Sequence, residues 1–316
     1  VARTYRLLHL SDFHVAGASL SGAFGREFLE SFGPGNLFGL FARPASRTKL
    51  MAVAEVAYRL KPLDAILITG DLANRGDRTS LQAALAIVER AAGSAWKGHD
   101  GQPTLQAAGA KIYLLPGNHD RYDQTLGFSG AGGRDFDEVF KTYWNVGQGV
   151  SSIHLDGELG VVFGDLTLAR VGDAQGPGAS WGQGRAYPER VAFMELETKH
   201  LKAKHAGIAI LWAVHFAPRF ERLDHSLRLL EEDRLLEAAQ RQGIRHLLCG
   251  HTHVARHYFT ANPRLEILCT GTAAQAGNPS NTIHLIEIET KKGSIHRFEP
   301  SALDFIPKEG RFLPKP

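Results

Sequence analysis

His246-Leu247-Leu248-Cys249-Gly250-His251-Thr252-His253 sets a short apolar run directly against a glycine and a pair of histidines one residue apart. A run of this length bounded by Gly reads as a buried strand. Four other runs end the same way. Tyr5–Leu10 leads into Ser11-Asp12-Phe13-His14, and Ala65–Thr69 into Gly70-Asp71. Ile112–Leu115 leads into Pro116-Gly117-Asn118-His119-Asp120, and Ile208–Val214 into His215. In open α/β sheets ligands bind beyond the carboxyl ends of strands, so five such ends can converge on one site. Two Asp, one Asn and four His, with a fifth His beside them, exceed what one metal needs and suit two.

The residue types fix the kind of metal. Asp12 and His14 flank one residue, so at a strand end both side chains can point to one face. A carboxylate with an imidazole suits Mn, Fe or Zn, whereas an all-oxygen set favours Mg or Ca. Gly117 allows a tight turn, and Asn118 offers a neutral oxygen. A single histidine is more often packed or solvated than ligating. Five motifs in this order, each at a strand end, do not fit that reading.

Between the motifs the chain alternates. A helix is expected from Ser46 to about Leu60, where Lys61-Pro62 stops it. Others are expected at about 79–91, 135–143, 188–204 and 226–242, with Gly243 closing the last. Short strands are expected near 151–155, 158–163, 166–171, 254–260, 265–270, 281–289 and 294–299. Alternation of β and α first, then β-rich segments, predicts an α/β (α+β layered) fold. Its architecture is a four-layer αββα sandwich of two mixed β-sheets flanked by helices. One domain over 1–305 follows, with 306–316 as a C-terminal surface tail. Residues 16–46 stand out as a Gly-rich insert carrying Phe24, Phe28, Phe32, Phe38 and Phe41.

Asp12-Phe13-His14, Gly70-Asp71, Gly117-Asn118-His119-Asp120, His215 and Gly250-His251-Thr252-His253 resemble the ordered motif set of calcineurin-like metallophosphoesterases. The resemblance implies a two-metal centre. Asp12, His14 and His253 would hold one divalent ion, Asn118, His215 and His251 the other, and Asp71 would bridge them. Two dications against two carboxylates leave an excess near +2 for a phosphate ester. A hydroxide shared between the ions would then attack phosphorus in line. His119 would sit by the phosphoryl and leaving groups as a catalytic residue, with Asp120 orienting it. After His215 comes Phe216-Ala217-Pro218, where many members carry a second histidine and a proline pair.

The resemblance is nearest to bacterial phosphodiesterases. It implies a small phosphate ester as substrate: a cyclic nucleotide, a glycerophosphodiester or a nucleotide diphosphate derivative. Two other readings stay open. One is a pyrophosphate hydrolase of a nucleotide-linked lipid precursor, although those enzymes commonly carry Arg where this chain has His119. The other is a non-catalytic scaffold of the same fold, although such scaffolds usually lose ligands and this chain keeps all seven. The insert could serve as a substrate flap or a peripheral membrane contact, but packing against the protein's own core or against another subunit is the favoured reading. Arg26, Arg43 and Arg47 near it, and Trp181, Gln183, Arg185 and Tyr187 in a second Gly-rich loop, are candidate rim residues. Arg121 and Tyr122 are expected at the site mouth.

Bulk properties narrow the partners. The 316 residues are 43% hydrophobic and 22% charged, so global disorder is excluded. A net charge of +3 is too small for a nucleic-acid-coating stripe, which argues against duplex binding. Cys249 and Cys269, both inside apolar runs, read as buried thiols. No apolar stretch of about 18 residues is present, which argues against a spanning helix. With no secretory signal after Val1-Ala2-Arg3, cytoplasmic residence is the expectation.

Overall fold

Apolar runs without alternation belong to strands covered on both faces, and the first runs of this chain are of that kind. The computed structural model describes residues 3–16, 45–89, 104–121, 134–144, 149–170, 173–175, 182–221, 225–277 and 281–314. Thr4–Leu10 forms β1, Ala65–Ile68 β2 and Lys111–Leu114 β3, paired in parallel as β1-β2-β3. Val150–Leu155 (β4), Leu159–Gly164 (β5), Ala209–Val214 (β7), His246–Cys249 (β9), Arg256–Phe259 (β10) and Glu266–Cys269 (β11) build the second sheet, in the order β10-β11-β9-β7-β5-β4. Gly184–Arg185 (β6) and Leu229–Leu230 (β8) form a small separate ladder. Thr282–Lys291 (β12), Ser294–Ile306 (β13) and Arg311–Pro314 (β14) complete the first sheet as β14-β13-β12-β1-β2-β3.

The period of two sorts the second sheet into faces. Val161, Phe163, Leu211, Ala213, Leu248 and Leu268 join the core that also holds β1 and β2. Their neighbours Val162, Ile210, Trp212, Val214, Leu247 and Ile267 point the other way, into a second core with Val191, Met194, Leu235 and Leu236. Those last four come from helices Pro188–Lys204 and Glu232–Arg241, which cover the outer face. Helix Arg47–Arg59 buries Leu50, Val53, Ala54 and Ala57, one stripe at helical spacing, on the side of the first sheet. Helix Arg78–Val88 is started by Asp77, whose carboxylate accepts from the Ser80 amide at 2.8 Å. The result is the four-layer αββα sandwich of two mixed sheets.

Three local expectations change. Of the strand expected at 166–171, the described residues 166–170 form only a single bridge, Thr167 with Gly184: Asp165 accepts both the amide and hydroxyl of Thr167, turning the chain at once. The helix expected from 226 begins at Glu232, because Leu229 and Leu230 are taken by the ladder with Gly184 and Arg185. Within the tail expected at 306–316, Arg311–Pro314 forms a strand. It pairs with β13 and buries Phe312 against Phe305. Pro314 is tolerated because β14 is the sheet's edge. Cys249 and Cys269 are register partners on β9 and β11, both fully buried and both free thiols. No helix among the described residues is long and apolar enough to cross a membrane.

Candidate metal centre

The carboxyl ends of β1, β2, β3, β7 and β9 do meet, and the backbone between them is bent to bring the side chains inward. Asp12 (φ 56°), His14 (53°), Asp71 (52°), His251 (71°) and His253 (56°) all sit in the left-handed region. Non-glycine residues there cost about 1–3 kcal/mol each, and such strain gathers at functional sites. Backbone bonds between loops hold the bends: Asp12 N to Gly70 O at 3.0 Å, Phe13 N to Asp71 O at 2.8 Å, and Gly250 N to His215 O at 2.9 Å. Two glycines are there for space. A Cβ on Gly117 would collide with Asp71 Oδ1, and one on Gly250 with Ser11 Oγ and Asp12 Oδ2.

Two donor groups result, sharing Asp71. Asp12, His14, Asp71 and His253 each bring one ligand atom within 4.8 Å of the others, and so do Asp71, His215 and His251. In the first group His14 Nε2 lies 2.9 Å from His253 Nε2, and Asp12 Oδ1 is 3.2 Å from His253 Nε2 and 3.8 Å from His14 Nε2. In the second, His215 Nε2 lies 3.3 Å from Asp71 Oδ2 and 3.1 Å from Asn118 Oδ1. All seven residues are at least four-fifths buried, and His119 stands edge-on to His14, with ring centroids 4.7 Å apart.

Carbonyls behind the cluster fix the imidazoles. His215 donates Nδ1–H to Thr69 O at 2.6 Å, which aims Nε2 at Asp71. His251 donates Nε2–H to Leu227 O at 3.0 Å, leaving Nδ1 for the centre. Such partners set tautomer and ring orientation in metal-binding histidines. Phe216 packs on both rings, 5.1 Å from His215 and 4.7 Å from His251. Here the residue that stands in place of a second histidine acts as a wall for its neighbours.

The electrostatics fit a cation. Burial would raise Asp12 and Asp71, but His253 and His215 outweigh it and hold both carboxylates below the ordinary range. Burial and neighbouring histidines push His14 well down and His251 down to about 3, so both rings are neutral donors. His215 goes the other way, to about 9: burial opposes the charge, but Asp71 overcomes it. Buried Asp12 Oδ1 has no hydrogen-bond partner. Two ring nitrogens 2.9 Å apart beside such an oxygen are a donor set for a cation, with Asn118 adding a neutral oxygen on the other side.

The remaining sequence candidates fall elsewhere. Asp120 does not touch His119. Its carboxylate accepts the amides of Ala73 (2.8 Å), Gly117 (2.9 Å) and Leu72 (3.2 Å), so it caps the loops. The Asn74 backbone carbonyl orients His119 instead, accepting from Nδ1 at 2.9 Å. Arg121, expected at the mouth, is buried against Asp165 and Asp137. Gln183 is buried and tied to Gln175 and the His225 carbonyl, while Arg185 pairs with Glu231. Tyr187 donates to Asp173. Arg26, Arg43, Trp181, Tyr122 and nearly all of the insert lie outside the described residues. Thr69, Asn74 and Leu227 act through backbone oxygens, which leave no mark on residue type. Asp165 did leave one: it follows a buried apolar run just as Asp71 does.

The model of the calcineurin-like phosphoesterase family matches residues 5–255. A dimetal phosphatase from Danio rerio superposes with TM-score 0.56 at 11% identity, over 92% of this chain and 97% of that one. A purple acid phosphatase from yellow lupin seeds (Lupinus luteus) gives TM-score 0.58 at 12% identity, over 99% of this chain but 53% of its own. These likenesses show the shared fold. No curated protein matches.

Proposed function

The chain belongs to the calcineurin-like phosphoesterase family, and on that premise we propose that it is a two-metal phosphodiesterase. The observation that carries the reading is the pair of donor groups meeting at Asp71, with His14 and His253 Nε2 face to face at 2.9 Å. Asp12, His14 and His253 would hold one ion and Asn118, His215 and His251 the other, with Asp71 available to both. The donor chemistry suits Mn, Fe or Zn. Bound there, two dications would supply Lewis acidity and a water ionised near neutral pH.

The chain's own groups do the rest. Thr69 and Leu227 keep His215 and His251 in their ligating tautomers. His119, with Nδ1 engaged by Asn74, exchanges protons at Nε2 and protonates the departing oxygen or stabilises its charge. The substrate is a small phosphodiester of the cyclic-nucleotide, glycerophosphodiester or nucleotide-diphosphate class. Purified protein loaded with Mn²⁺ should hydrolyse bis-p-nitrophenyl phosphate faster than p-nitrophenyl phosphate. Loaded protein that cleaves neither would sink the reading, and faster cleavage of the monoester would reassign the substrate class.

A further inference from the structure

Arg121 and Asp165 make a buried ion pair whose position exceeds what the fold alone asks of it. Arg121 closes the short turn that begins at Asn118, donating its amide to the Asn118 carbonyl at 3.2 Å. That turn follows β3, the edge strand of the first sheet. Asp165 follows β5 in the second sheet, and β5 pairs with β7 up to Gly164 opposite Val214. The next residues on those two strands are Asp165 and His215. The guanidinium therefore ties the loop that carries Asn118 to the strand end beside His215. Its Nη2 lies 2.9 Å from Asp165 Oδ2 and 2.7 Å from Asp137 Oδ1, with 6% of the residue exposed. Asp165 is held in turn by Arg190 Nη1 at 3.1 Å and by Thr167.

We propose that Arg121 is a positioning residue for one half of the metal centre: anchored on Asp165, it sets the spacing of Asn118 Oδ1 and His215 Nε2, 3.1 Å apart. The other half, Asp12, His14 and His253, follows β1 and β9 rather than β3 and β7. The claim rests on the two-metal reading above. Both carboxylates meet one guanidinium nitrogen, so a Lys ammonium can keep part of the contact while losing the fixed plane of the guanidinium.

Isothermal titration of metal-free protein with Mn²⁺ tests it on wild type, Arg121→Lys and Arg121→Met, with thermal unfolding recorded for each. Wild type should bind two equivalents. One step should weaken by about tenfold or more in Arg121→Met, the usual range for an outer partner of a ligand, and by less in Arg121→Lys. The second step should stay as in wild type. If both steps are unchanged in either folded variant, or both weaken together, the positioning role is overturned. Wild type that binds no Mn²⁺ would instead remove the metal centre on which the role depends.

Discussion

His119 Nδ1 donates to the backbone carbonyl of Asn74 at 2.9 Å, and no carboxylate takes that place. Asp120 is next to His119 in sequence, yet its two oxygens are spent on the amides of Leu72, Ala73 and Gly117. The loop that ends at Asn74 is therefore held by Asp120, while its last carbonyl holds the imidazole. Removing the ring and removing the carboxylate should then have different signatures. His119→Ala should lower turnover by about 10²–10⁴-fold, the usual share of a proton-transfer group, with bound metal and melting temperature unchanged. Steady-state kinetics with metal analysis checks this, and a variant as fast as wild type would end the catalytic role.

Asp120→Asn puts an amide nitrogen against a backbone N–H wherever it sits. A buried donor left unsatisfied costs about 1–3 kcal/mol. The variant should therefore lose stability in urea by that order. Unchanged stability would show that the three amides find other partners.

Much of this centre could be read from the chain, for one physical reason. Its ligands sit where buried strands end, and a buried strand announces itself as an apolar run. Asp12, Asp71, His215, His251 and His253 come together accordingly. What stayed hidden was of two kinds. Thr69, Asn74 and Leu227 work through carbonyls that every residue has. Residues 306–316 looked like a tail because Pro307, Pro314 and Pro316 around a short apolar pair carry no period, and the pairing of Arg311–Pro314 with β13 depends on the sheet edge next to it. The neighbour of a motif is likewise a poor guide to its partner. Asp120 and Arg121 both point away from the chemistry suggested by their place beside His119.

Acid should remove the stability that the Arg121–Asp165 clamp supplies, and only at low pH. Burial would raise Asp165, but Arg190 and Arg121 outweigh it and hold it at about 2, against 3.8 unperturbed. A folded pKa below the unfolded one gives stability that is present above the unfolded value. It is lost as pH falls through the folded value, so the window runs from about pH 4 to 2. The difference corresponds to about 2 kcal/mol. Urea unfolding across this range should show the decline, and Asp165→Asn should flatten it. A decline of equal depth in the variant would assign it to other carboxylates.

Metal should act as a brace as well as a reagent. The two donor groups collect strained residues, and one buried carboxylate oxygen there, Asp12 Oδ1, has no hydrogen-bond partner. An ion that binds only the folded chain adds about 3 kcal/mol at 100 times its dissociation constant. Scanning calorimetry should find the melting temperature raised by Mn²⁺ and lowered again by a chelator. His14→Ala should bind one equivalent fewer. A melting temperature indifferent to both additions would contradict the donor geometry.

Gly250→Ala isolates sterics from charge. The added methyl would collide with Ser11 Oγ and come within 2.6 Å of Asp12 Oδ2, the oxygen that accepts the His251 amide at 3.0 Å. No ionisable group changes, so any loss comes from displacing Asp12 and the His251 loop by a few tenths of an ångström or more. Misplacements approaching 1 Å cost about 10²-fold in rate when reacting groups are held by geometry. Turnover should fall by roughly that factor in a folded protein. Ser11→Gly in the same chain removes the hydroxyl that the methyl strikes, so the double variant should recover part of the loss while Ser11→Gly alone stays close to wild type. Equal turnover in Gly250→Ala and wild type would mean that the close approach of β9 to β1 is not what places Asp12.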